Sequence, residues 1–132
     1  MTSRKSLQIL TALLALIPCI TGVITMFGIH DPIYASAGIP NNALLDSNLR
    51  FFGGVWLVLG IALFWTIPRI EKQGVLFAVC WGAVFLGGIG RLLSMLIVGA
   101  PPLPFIAFTV LEVVGAPIFV WWQRRIAGSA NA

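Results

Sequence analysis

Four long apolar stretches alternate with short polar breaks along this chain, and that pattern sets the architecture. The apolar runs cover residues 7–29, 49–67, 75–98 and 103–122. Each has the roughly 20 residues that a helix needs to cross the hydrocarbon core of a bilayer. In lipid every backbone N–H and C=O must be paired within the protein, and a helix does this alone. The pattern predicts an all-α fold: one integral membrane bundle of four transmembrane helices over residues 1–132. The joints agree with the count. Residues 68–74 (PRIEKQG) form a polar break, and residues 99–104 (GAPPLP) a tight turn whose prolines cannot continue a helix. Gln123-Arg124-Arg125 ends the fourth run, and AGSANA reads as a frayed tail. The one long connection is 30–48. Asp31-Pro32 has the form of a helix start, with Asp as N-cap and Pro at the first helical position. Its apolar residues (Ile33, Tyr34, Ile39, Leu44, Leu45) predict that it lies over the outer mouth of the bundle.

Composition supports the membrane reading. The chain is 59% hydrophobic and 9% charged, against about 25% charged in a typical soluble domain. A soluble chain this short could not bury so much apolar surface. Charge then gives an orientation. Arg4 and Lys5 precede the first run, Arg69 and Lys72 lie between the second and third, and Arg124 and Arg125 follow the fourth. In a four-span protein these three places share one side. The other side carries His30, Asp31 and Asp46. The positive-inside rule predicts both termini in the cytoplasm and the 30–48 connection outside. Trp65, Trp81, Trp121 and Trp122 fall toward the basic side, as an aromatic belt would. Basic residues grouped at the ends of apolar runs are an orientation signal rather than a nucleic-acid surface. The N-terminus resembles a signal peptide, but the apolar run continues past Thr25 without a small-x-small cleavage site, so a retained first span is expected.

Ionisable residues inside apolar runs mark candidate chemistry, because a charge at membrane depth costs a few kcal/mol or more unless it is paired or faces a wet cavity. The hairpin 87–112 holds two: Arg91 and Glu112. Arg91 is seven residues before Val98, and Glu112 is nine after Leu103. At 1.5 Å per residue both lie roughly 10–14 Å below the outer ends of their helices, within pairing reach if the right faces meet. Gly87, Gly88, Ser94 and Ala83 lie near Arg91 on its helix; Thr109, Gly115 and Ala116 lie near Glu112. Small residues at such spacings mark close-packed helix faces. In the second run Gly53, Gly54, Leu57 and Gly60 follow Arg50, and in the first Thr11, Ala15, Pro18, Gly22 and Thr25 form a stripe. The predicted ligand-binding cluster is Asp46, Asn48, Arg50, Arg91, Ser94 and Glu112, with Thr109 at its margin. Asp46 or Ser47 could also serve only as a helix cap, and Arg91–Glu112 only as a structural pair. His30 stands alone, and Cys19 and Cys80 sit inside apolar runs without a C-x-x-C, so no metal site or disulfide is expected and no cofactor is required.

The stretches Leu45-Asp46-Ser47-Asn48-Leu49-Arg50-Phe51-Phe52-Gly53-Gly54, Ile67-Pro68-Arg69-Ile70-Glu71 and Gly87-Gly88-Ile89-Gly90-Arg91-Leu92-Leu93-Ser94, with Gly99-Ala100-Pro101 and Leu111-Glu112, resemble the bacterial domain-of-unknown-function family 4345. That family is similar to the DoxX-like group of small four-helix membrane proteins. The resemblance implies a four-span protein of the bacterial inner membrane without an established activity. Asp46, Asn48, Arg50, Arg91, Ser94 and Glu112 match its polar motifs. Redox-associated DoxX-like relatives imply a quinone or electron-transfer setting, for which the two cysteines give no support.

Three functions compete. The first is binding of a small amphiphile or membrane lipid at the charged cluster in the outer half of the bundle. The second is an accessory role in a larger membrane complex or a homo-oligomer. The third, an intramembrane enzyme using Glu112 as acid/base, is disfavoured because no nucleophile, metal set or phosphate loop accompanies it.

Overall fold

A computed structural model describes residues 3–130, and among them there is no strand. The helices are α1 (Ser3–Thr25), α2 (Ala43–Thr66), α3 (Gly74–Ile97), α4 (Leu103–Val110) and α5 (Ala116–Ala130), with a π-helical turn, Leu111–Gly115, joining the last two. Short 3₁₀ turns occupy Gly28–His30, Pro32–Ala37 and Ile67–Arg69. Four helical stretches are long and apolar enough to cross a membrane: Ser3–Thr25, Ala43–Arg69, Gly74–Ile97 and Leu103–Ser129. The chain has two compact units, Ile9–Ile67 and Met1–Gln8 with Pro68–Ala132.

In Ile9–Ile67, α1 and α2 meet through glycines. A Cβ on Gly22 would stand 2.6 Å from the Leu57 amide nitrogen, and one on Gly60 2.9 Å from the Cys19 nitrogen. Without side chains at these points the two backbones approach closely, which is how helices associate where lipid removes the usual hydrophobic drive. Gly54, on the same predicted stripe, has nothing within 4 Å of such a Cβ and faces away. Trp56 Nε1 donates to Thr21 Oγ1 at 2.8 Å, and that hydroxyl donates to the Ile17 carbonyl at 2.7 Å. The predicted Asp31 cap is present: its carboxylate accepts from the Ile33 amide at 2.8 Å, with Pro32 at the first position of the 3₁₀ turn. The second helix, however, starts at Ala43, not at 49. Asn42 Oδ1 accepts from the Leu45 amide at 3.1 Å and caps it. Asp46, Ser47 and Asn48 are therefore helical residues, and neither Asp46 nor Ser47 is the cap.

In the other unit α3 packs along the fourth span. Phe77, Trp81, Val84, Ala116 and Phe119 are buried, with Trp81 stacked on Phe119 at 4.4 Å between ring centroids. Trp81 is thus a core residue, not part of an aromatic belt, whereas Trp121 is exposed. Gln123 is buried, and its amide donates to the Ile70 carbonyl at 2.9 Å. The expected frayed tail is instead helical through Ala130; Ser129 donates to the Arg125 carbonyl at 3.0 Å. Asn131 and Ala132 lie outside the described residues.

Cys19 and Cys80 are free cysteines. The start of α1 is tied to the 68–74 connection by Arg4, whose Nε donates to Glu71 at 2.8 Å and whose Nη2 donates to the Pro68 carbonyl at 3.1 Å. A hydrogen bond from its own backbone amide, and then the Arg4 guanidinium, hold the Glu71 carboxyl below its ordinary range. A depressed carboxylate stabilises the fold at pH above its unfolded value, and that contribution is lost as pH falls through the folded one. Melting curves in detergent should therefore show wild type losing its small advantage over Glu71→Gln as the pH is lowered below about 4. An advantage that persists in more acid solution would mean the pair does not hold the helix start. The effect is modest, ~1 kcal/mol at most for so exposed a pair.

Candidate functional site

The six predicted site residues fall into two ion pairs, one in each unit, and two exposed side chains. The first pair is local. Arg50 is one turn after Asp46 on α2, so the two can face each other. Arg50 Nε donates to Asp46 Oδ2 at 2.7 Å and Nη2 to Oδ1 at 3.3 Å. The remaining guanidinium donors reach the end of α1: Nη1 to the Met26 carbonyl at 2.9 Å and Nη2 to the Phe27 carbonyl at 3.3 Å. A cation at a helix C-terminus complements its terminal carbonyls; that of Phe27 also accepts from the His30 amide at 3.3 Å. Asp46 Oδ1 also accepts from the Ile29 amide at 3.1 Å. Between these contacts the chain turns at Gly28, with φ of 66°, and a Cβ there would run into the Asp46 carboxylate. Both side chains are spent on closing the α1–α2 turn, so this pair is a clamp rather than an open site.

The second pair is differently built. Arg91 Nε lies 3.0 Å from Glu112 Oε2. The guanidinium stands over the Phe105 ring, 5.7 Å from Cζ to the centroid. Burial is unequal: the Arg91 side chain is 39% exposed and that of Glu112 only 9%. The contact is close but poorly aligned for a hydrogen bond, so the buried Glu112 Oε2 has the Arg91 guanidinium as its ion-pair partner and no aligned hydrogen bond. A buried carboxylate oxygen in this condition is costly unless something else supplies a proton.

The backbone explains how Glu112 comes to be there. It lies in the π-helical turn Leu111–Gly115, whose wider ladder inserts an extra residue into the helix. Pro117 follows two residues later. It has no N–H for the Val113 carbonyl, and its ring crowds that carbonyl, so a regular α ladder cannot pass through. On the facing helix Gly88 allows the approach: a Cβ there would lie 2.7 Å from Glu112 Cβ and 2.8 Å from Val113 Cγ2. Thr109 is buried, and its hydroxyl is used within its own helix, donating to the Phe105 carbonyl at 2.8 Å.

Asn48 and Ser94 are exposed and take part in neither pair. Ala83 and Gly87 are also exposed, so the small-residue stripe expected to point inward on α3 (Ala83, Gly87, Gly88, Ser94) is represented there by Gly88 alone. Among the described residues no group of three His, Cys, Asp or Glu side chains could hold a metal ion.

The family profile described as domain of unknown function DUF4345 matches residues 6–123, which include both ion pairs and nearly all of the four spans. The chain belongs to DUF4345. No curated protein and no solved structure is similar to it at a significant level. The DUF4345 region thus carries one arginine–carboxylate pair that is internally satisfied and one that is not. Sequence spacing could locate both arginines. It could not show that Arg50 is consumed by backbone carbonyls, nor that Phe105 lies under Arg91.

Proposed function

We propose that this DUF4345 protein binds a small amphiphile through Arg91 and Glu112, and that it does so in the bacterial inner membrane with both termini cytoplasmic. The observation that carries this reading is the buried Glu112 oxygen, held by an ion pair but by no aligned hydrogen bond, beside a half-exposed arginine. A polar head bearing a hydroxyl or amide would donate to Glu112 and accept from the free Arg91 donors, while its apolar tail stays in lipid. Such complementary pairing raises specificity because each unmet partner is penalised.

The test is native mass spectrometry of protein extracted in mild detergent, followed by identification of retained small molecules. Wild type should carry an adduct that Glu112→Gln and Arg91→Leu lose. A wild-type protein without one, or adducts indifferent to both substitutions, would refute the reading. Orientation is checked separately on a cysteine-free background. Ala37→Cys in the 30–48 connection should be labelled by an impermeant maleimide on intact cells; labelling only after the membrane is opened would reverse the topology.

A supporting role in a larger membrane assembly has the open face of α3 in its favour, where nothing lies within 4 Å of a Cβ added at Gly87 or Gly90. Co-purification of a stoichiometric membrane partner in mild detergent would favour it over ligand binding.

A further inference from the structure

We propose that the surface formed by the start of α1, the 68–74 connection and residues 121–125 of α5 is a binding surface for anionic phospholipid headgroups. It is separate from the Arg91–Glu112 site and rests only on the chain spanning a membrane. Hydrogen bonds bring these three segments together within one compact unit. Arg4 donates to Glu71 and to the Pro68 carbonyl, Trp122 Nε1 donates to Ser3 Oγ at 2.7 Å, and Gln123 donates to the Ile70 carbonyl. Each segment brings cations with it: Lys5 beside Arg4, Arg69 and Lys72 around Ile70 and Glu71, and Arg124 and Arg125 after Gln123.

Charge pairing leaves these cations unneutralised. The ion pairs among the described residues are Arg4–Glu71, Arg50–Asp46 and Arg91–Glu112. What remains of the net charge of +4 is Asp31 and five cations, and all five stand on this surface. All five are exposed. Glu71, the carboxylate on this surface, is engaged by Arg4.

The occupant follows from position. These cations lie at the ends of membrane-long helices, where phospholipid headgroups are the abundant anions. Arg125 is stacked over Trp121, with Cζ 4.3 Å from the ring centroid, and Trp121 is itself exposed. An exposed indole beside the basic residues that flank an apolar run fits headgroup level. It holds the guanidinium there with its planar donors free for phosphate, which arginine engages through two parallel hydrogen bonds. A nucleic acid or acidic protein would have to reach the same charges through the headgroup layer.

The experiment uses the full chain in neutral detergent, titrated with phosphatidylglycerol or phosphatidylcholine and read by native mass spectrometry. Phosphatidylglycerol should be retained preferentially, with the preference weakening as ammonium acetate is raised. Each cation removed should cost about fivefold in apparent affinity, so the combined variant Lys72→Gln, Arg124→Gln, Arg125→Gln should abolish the preference. The combined variant should keep the wild-type melting temperature in detergent, which guards against a loss caused by misfolding. Equal retention of the two lipids by wild type would overturn the proposal. So would a preference that survives in the combined variant, because the anionic lipid would then be held elsewhere. Neither result depends on Arg91 or Glu112.

Discussion

Replacing Gly53 with leucine is expected to separate α1 from α2 and to be among the most damaging single changes in the chain. A Cβ at this position would lie 2.7 Å from the Met26 amide nitrogen and 2.8 Å from the Gly22 carbonyl oxygen. Both are backbone atoms, which cannot rotate away as a side chain can. Overpacking typically costs ~1–3 kcal/mol when neighbouring side chains can adjust; here the helices themselves must move, so a loss above ~3 kcal/mol is expected. Moving α1 away also withdraws the Met26 and Phe27 carbonyls from Arg50, and the clamp opens with it. Gly54 supplies the control, because nothing lies within 4 Å of a Cβ there. Gly54→Leu should change stability by no more than about 0.5 kcal/mol, as for surface substitutions generally. Denaturation in mixed micelles, followed by circular dichroism, compares the two. Equal losses would mean that glycine is required at this turn for reasons other than the close approach of the helices.

That contact was half legible from sequence. Gly22, Gly53 and Gly60 stood at helical spacing on two apolar runs, and small residues in such positions imply close packing. Assigning the correct side of α3 was harder. Its glycines are distributed around the helix, so Gly87 and Gly88 each have a claim to the packed face, and of these two Gly88 meets the fourth span. The early start of α2 was also within reach. Asn42 before a helix-forming stretch is a capping signal, but the polar residues Asp46, Ser47 and Asn48 marked the apolar boundary later. Hydropathy locates where a helix enters lipid, and the helix itself began about two turns earlier.

Residue spacing puts Arg91 and Glu112 at one level, and the pair forms. What spacing could not supply is the π turn. Apolar pattern around Glu112 is compatible with a regular helix, and the only local hint was Pro117 in mid-span. The division of polar work was hidden for a different reason. Arg50 finds its partners across a turn, in the carbonyls of Met26 and Phe27, and backbone acceptors carry no sequence signature.

Unequal burial of Arg91 and Glu112 predicts unequal mutant losses. Arg91→Leu leaves a carboxylate that is 9% exposed with no cation beside it. An orphaned buried charge commonly costs 3–5 kcal/mol, and part of this is avoided if Glu112 takes up a proton, so a loss of about 2–4 kcal/mol is expected. Glu112→Leu leaves an arginine that is 39% exposed and already rests on Phe105. Its long stem can carry the guanidinium toward water or headgroups, so about 1–2 kcal/mol is expected. The double variant Arg91→Leu, Glu112→Leu removes both charges from an apolar setting and should be more stable than Arg91→Leu alone. Glu112→Gln separates charge from shape: it keeps a polar group at the π turn while leaving Arg91 without its counter-ion. The measurement is a double-mutant cycle in detergent, with non-additivity as the readout. Strictly additive losses would show that the 3.0 Å contact carries no coupling. A larger loss for Glu112→Leu than for Arg91→Leu would show that the π turn, and not the buried charge, is what the carboxylate supports.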